Sequence, residues 1–202
     1  MESAQTDFIS VINSLLLLVD CKSDMLSEVR SGDSDTIRNS ARSAAKAAAM
    51  LNVPVILTSE GPKDNDEFLN DLVSILPKQD PIFRLTGMND ALADQKVKAA
   101  INKYGRSKLI IGGLWTSQSF SETALSAIKQ GYDVFGLIDA TGDISSERHN
   151  AGIHRVLKAG LTPITWMSLA SEWMHGWSEP VEVEELEIPG KYNSMLSYLS
   201  KM

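Results

Sequence analysis

Unbroken apolar runs alternate along this 202-residue chain with stretches whose hydrophobic positions recur every three or four residues. The runs are Ser14–Asp20, Val53–Ser59, Pro81–Arg84, Leu109–Gly113, Asp133–Asp139 and Thr162–Trp166. They lack the polar alternation of a half-exposed strand, which predicts parallel strands buried on both faces. Between them, Asp35–Leu51 is rich in Ala, and Ile37, Ala41, Ala44, Ala48 and Leu51 fall on one helical face. Glu67–Leu76, Ala91–Tyr104, Ser119–Gln130 and Ser146–Ala159 follow the same logic. Gly105, Gly131 and Gly160 sit just past three of these segments, where a left-handed turn favours glycine. Strands alternating with helices predict an α/β fold, a three-layer α/β/α sandwich around a six-stranded parallel sheet with right-handed crossovers.

No repeat, linker or low-complexity segment divides residues 1–178, which read as one domain. Residues 179–202 differ in character. Glu179–Ile188 is acidic and partly alternating, Pro189-Gly190 breaks it, and Tyr192, Met195, Leu196 and Leu199 give a final helix an apolar face. This tail packs either on its own domain or on a neighbouring subunit.

Charge and cysteine content narrow the function classes. The formal net charge of -7 argues against nucleic-acid or anionic-membrane partners, which need Lys and Arg to neutralise phosphates. The one cysteine, Cys21, cannot form an internal disulfide, and no Cys cluster can hold zinc. The first ten residues carry Glu2 and Asp7 without a basic start, unlike a signal peptide, and the longest apolar run, Leu15–Val19, is too short to cross a bilayer. A cytoplasmic protein is expected, with no cofactor and no metal.

Ligands of open α/β sheets bind outside the carboxyl ends of the strands. The candidates there are Asp20, Cys21 and Lys22, then Ser59 and Glu60, Arg84, Trp115 to Ser119, and Asp139 to Asp143. Asp20 ends an apolar strand and either works as a cleft carboxylate or serves as a cap or structural ion pair. Arg84 either offsets Asp20 or holds an anion with its planar fork, unless it is a surface side chain on an edge strand. Ser119, at a helix start, is a cap or a hydroxyl in a field that favours negative charge. Cys21, next to Asp20 on a strand, points to the opposite face and reads as a small buried hydrophobe; Lys22 returns to the cleft rim. His149 and His154 share no face, and Trp166, Trp173 and Trp177, with Met167 and Met174, read as packing.

Taken in order, Leu17-Leu18-Val19-Asp20, Val53–Ser59, Ile110–Thr116, Thr123–Ile128, Gly131–Val134, Asp139–Gly142, Arg148-His149 and Ile164–Trp166 resemble the isochorismatase-like hydrolase superfamily, the cysteine hydrolases, in its YcaC-like branch. The resemblance implies oligomers without a cofactor acting on a small molecule. It also implies an acid, a cation and a cysteine that attacks an amide carbonyl. By position Asp20 matches the acid, Arg84 the cation and Ser119 the cysteine, so the thiol nucleophile is replaced by a hydroxyl. A cis peptide within Leu114, Trp115 and Thr116, with Trp115–Thr116 the favoured bond, would help build the oxyanion hole. The family's isochorismatases need no thiol, because an acid protonates a vinyl ether and water completes hydrolysis. Three readings follow: a hydrolase using Asp20, Arg84 and a backbone oxyanion hole; a catalytically silent binding or scaffold protein; or a thiol enzyme whose nucleophile has moved to Cys21.

Overall fold

The computed structural model describes residues 8–63, 65–76 and 80–175. The tail 179–202 and Trp177 lie outside them. Six strands, β1 (Ser14–Val19), β2 (Val55–Glu60), β3 (Ile82–Arg84), β4 (Lys108–Gly113), β5 (Asp133–Leu137) and β6 (Thr162–Ile164), form one sheet in the order β3-β2-β1-β4-β5-β6. Every strand pair is parallel. The helices are α1 (Ser23–Ser27), α2 (Ser34–Met50), α3 (Glu67–Ile75), α4 (Gln95–Tyr104), α5 (Ser121–Lys129), α6 (Ser146–Ala159) and α7 (Trp166–Met174).

β1 explains the layering. All six of its residues are buried, and each full burial of a Leu or Val contributes roughly 1.5–3 kcal/mol. Alternate side chains serve opposite faces. Leu15, Leu17 and Val19 join Val97 and Ile101 of α4, Ala124 and Ala127 of α5 and Val156 of α6. Leu16 and Leu18 join the Ala-rich face of α2, Phe68 and Leu72 of α3, and Leu169 and Trp173 of α7. The predicted three-layer α/β/α architecture is therefore the observed one.

Boundaries differ where a side chain caps a helix. Asp94 accepts from the N–H groups of Lys96 and Val97, so the predicted helix Ala91–Tyr104 is a 3-10 turn, Ala91–Ala93, followed by α4. The last apolar run was expected to extend to Trp166. Instead Thr165 caps α7 through Ser168 N–H, and Trp173 on that helix donates its indole N–H to Ser14 Oγ at 2.9 Å. Both α1 and α7 are additions to the sequence reading.

The chain runs from β1 outward through β2 to β3, then returns to β4 beside β1 and runs outward the other way. The connections diverge between β1 and β4, and in open α/β sheets ligands bind at that switch point, outside the carboxyl ends. Gly113 allows the two strand ends to close up. Its φ is +117°, and a Cβ there would lie 1.8 Å from the Val19 carbonyl oxygen.

Candidate active site

Asp20 follows β1 with a φ of +50°, a left-handed conformation that non-glycine residues other than Asn and Asp rarely adopt. The turn is tied down on both sides: Asp20 N–H donates to Thr58 O, and Lys22 N–H donates to Asp20 O, both at 2.9 Å. It directs a carboxylate that is only 1% exposed. One oxygen accepts Glu60 N–H at 2.6 Å, and the other accepts Arg84 Nη2 at 2.7 Å. Arg84 does sit on the edge strand β3, yet its side chain is fully buried rather than on the surface. Its Nη1 donates to Thr58 Oγ1 at 3.0 Å and its Nε to the Met88 carbonyl at 3.1 Å. All three guanidinium nitrogens thus have an acceptor, as a buried cation requires.

Beside this pair opens a cleft of about 500 Å³, lined by Lys22, Asp24, Met25, Glu60, Gly87, Asn89, Trp115, Gln118 and Ser119. Of the sequence candidates, Lys22, Glu60, Trp115 and Ser119 line it, whereas Asp20 and Arg84 stand behind its wall, with Asp20 held to Glu60 N–H. Cys21, Ser59 and Thr116 do not line it. Strand alternation turns Ser59 away from Glu60, and Ser59 is 1% exposed. Cys21 packs in the core with Leu26, and burial, reinforced by the charges of Asp20 and Asp66, pushes its thiol well above the usual range. It is neither a rim residue nor an ionisable nucleophile.

β4 leads into a π turn, Thr116–Phe120, before α5 begins at Ser121. Ser119 lies within that turn, 2% exposed, and the α5 cap position is Phe120, which makes no side-chain cap. The cap reading of Ser119 is thereby corrected. The cis peptide is Leu114–Trp115, one bond before the expected Trp115–Thr116; without a proline to mark it, its register is not readable in the sequence. Thr116 N–H donates to Gly142 O at 2.9 Å and Ser117 N–H to Asp143 Oδ2 at 2.8 Å. Trp115 N–H has no hydrogen-bond partner among the described residues. Thr116 Oγ1 is 2.9 Å from both Thr141 Oγ1 and His149 Nδ1. Burial holds the His149 pKa below its ordinary value, against an opposing pull from Asp143.

Asp24, Met25, Gly87 and Asn89 were missed, whereas Gln118 falls within the predicted Trp115 to Ser119. The first two ride on α1, a single turn too short to register as helical periodicity. Gly87 and Asn89 follow β3 in a loop whose approach to the cleft depends on Glu60, whose Oε1 accepts Gly87 N–H at 2.7 Å. Among the described residues, no group of His, Cys, Asp and Glu could hold a metal ion, and no helix is long and apolar enough to cross a membrane.

Residues 14–168, from the first strand into α7, match the Isochorismatase domain family. The chain belongs to the isochorismatase family. It is 31% identical over 193 residues to Probable hydrolase YcaC of Escherichia coli strain K12, covering 92% of this chain and 91% of that one. The solved structure of the E. coli YcaC gene product, described as an octameric hydrolase of unknown specificity, superposes with a TM-score of 0.86 at 28% identity, over 99% and 100% of the two chains. YcaC from Pseudomonas aeruginosa, solved with hexane-2,5-diol and covalent acrylamide, gives a TM-score of 0.84 at 27% identity, over 97% and 99%. The isochorismatase-like fold and YcaC-like branch expected from the motifs are those found, and the leaning towards a hydrolase stands on these relatives.

Proposed function

We propose that this isochorismatase-family chain hydrolyses an amide, ester or enol-ether bond of a small molecule, with Asp20 as acid/base and water as the attacking group. The observation that carries the reading is the buried Asp20–Arg84 pair beside a cleft whose walls are mostly polar. Both carboxylate oxygens already accept N–H donors, which fixes the group's orientation and leaves lone pairs for a proton from water or the substrate. Arg84 supports the charge. The Trp115 N–H is the donor best suited to a developing oxyanion, because those of Thr116 and Ser117 already have acceptors.

Ser119 stands where the family resemblance puts the nucleophilic cysteine. A hydroxyl nucleophile needs an adjacent base, and the imidazole nearest this turn, that of His149, is engaged with Thr116. This favours water over Ser119 as the attacking group. Relatives described as hydrolases disfavour the catalytically silent scaffold, and the burial of Cys21 disfavours a relocated thiol. The octameric E. coli relative supports a homo-oligomer, the single cysteine fits a reducing compartment such as the cytoplasm, and the net negative charge argues against nucleic-acid partners.

A panel of amides, esters and enol ethers, isochorismate included, tests the reading. Asp20→Asn should lower turnover of any hit by about a hundredfold or more, and Ser119→Ala should leave most of it. No turnover across the panel, or full activity in Asp20→Asn, would overturn the reading.

A further inference from the structure

We infer that Asp143 is a positioning residue that clamps the Trp115–Ser119 wall of the cleft onto the loop between β5 and α6. The inference rests on reading that wall as part of the active site.

Asp143 has no exposed surface. Its Oδ2 accepts Ser117 N–H at 2.8 Å, and its Oδ1 accepts Ile144 N–H and Arg148 Nε, both at 2.9 Å. Arg148 then reaches past it, donating Nη2 to Ser117 Oγ at 3.1 Å. One carboxylate and one guanidinium thus hold both the backbone and the side chain of Ser117, two residues before Ser119. The clamp is itself anchored: Asp143 N–H donates to Ser31 Oγ at 2.9 Å, and the Asp143 carbonyl accepts the N–H groups of Arg30 and Ser31. Further ties run in parallel. Gly113 N–H donates to Ala140 O at 2.8 Å and Thr116 N–H to Gly142 O at 2.9 Å. Gly152 of α6 lies so close that a Cβ there would be 2.9 Å from Ser117 Cα.

A buried carboxylate costs free energy unless it is fully hydrogen-bonded. Here its partners are charge-assisted and join two loops distant in sequence, so this carboxylate fixes a geometry rather than a local turn. An irregular π turn lacks the regular ladder that holds an α-helix in place, and Asp143 supplies the external hold. The site tolerates only small displacements of Trp115 and Ser119 if Trp115 N–H is to meet an oxyanion.

Hydrogen–deuterium exchange on the full chain tests this without a substrate. In Asp143→Ala, amides of residues 114–120 should exchange on the order of tenfold to a hundredfold faster, while β1 and α2 keep their protection. Asp143→Asn, which keeps one acceptor oxygen, should fall between Ala and the unmodified chain, and Arg148→Gln should do less. On a substrate identified in the panel, kcat should fall in the same order with KM little changed. Unchanged exchange in residues 114–120 would overturn the inference, as would faster exchange with undiminished kcat. Should Asp143→Ala fail to fold, Asp143→Asn and Arg148→Gln decide it by the same two readouts. Full activity in Asp20→Asn would instead remove the hydrolase reading alone, leaving the exchange result to decide the role of Asp143.

Discussion

Removing Arg84 alone should cost far more than removing its whole ion pair. Arg84→Met keeps the approximate volume but leaves the Asp20 carboxylate, 1% exposed, with only Glu60 N–H to stabilise it. Breaking a buried pair by deleting one partner costs about 3–5 kcal/mol, because the other charge stays buried. That is a large share of the roughly 5–15 kcal/mol that stabilises a typical domain. Asp20→Asn/Arg84→Met removes both charges together. Asn also tolerates the left-handed φ of +50° at position 20, so no new backbone strain enters. The double variant should therefore be at least about 1 kcal/mol more stable than Arg84→Met, although one more interaction has been removed. Urea denaturation at constant slope measures both: Arg84→Met should lower the midpoint by at least about 1 M. A loss below about 1 kcal/mol for Arg84→Met, or simple additivity in the double variant, would refute the view that these two charges depend on each other.

Other perturbations have definite signs. Cys21 is buried and its thiol pKa raised, so acrylamide should leave the folded chain unmodified by intact mass and add once after denaturation; labelling at native pH would contradict the buried-thiol assignment. Burial lowers the His149 pKa from 6.5. The folded state then binds fewer protons there than the unfolded one, so stability should fall as pH drops below 6.5 and level off below the folded pKa. His149→Gln should flatten that slope in a series of denaturation curves. Burial raises the pKa of Asp139 above its ordinary 3.8, against hydrogen bonds from Trp166 N–H. In this case the folded state retains the proton longer. Stability should decline as pH rises from 3.8 through the folded pKa, and Asp139→Asn should remove the decline.

The sheet was readable because β1 is a run of apolar residues with no polar face, which only a strand covered on both sides can use. Asp20 and Arg84 were readable as charges at the ends of apolar strands, where burial demands a partner. Their pairing at 2.7 Å follows from β2 lying between β1 and β3. Ser59 was misplaced because nearness in sequence was taken for nearness to the cleft, whereas strand alternation turns it to the other face. Cys21, just past β1, is the small buried hydrophobe that its position beside Asp20 predicted, not a rim residue. The π turn was not readable at all. The stretch Thr116–Phe120 is held by partners more than twenty residues away, Thr141, Gly142 and Asp143, and local spacing cannot reveal them. The same holds for Asn89 and Gly87, brought to the cleft by the loop after β3.

The most direct measurement is a crystal structure of the Asp20→Asn protein soaked with the best substrate from the panel. The account predicts the ligand at the switch point between β1 and β4, its scissile group facing residue 20 and within hydrogen-bond reach of Trp115 N–H. A substrate bound elsewhere on the chain, or lying in the cleft with its scissile bond turned away from residue 20, would contradict it.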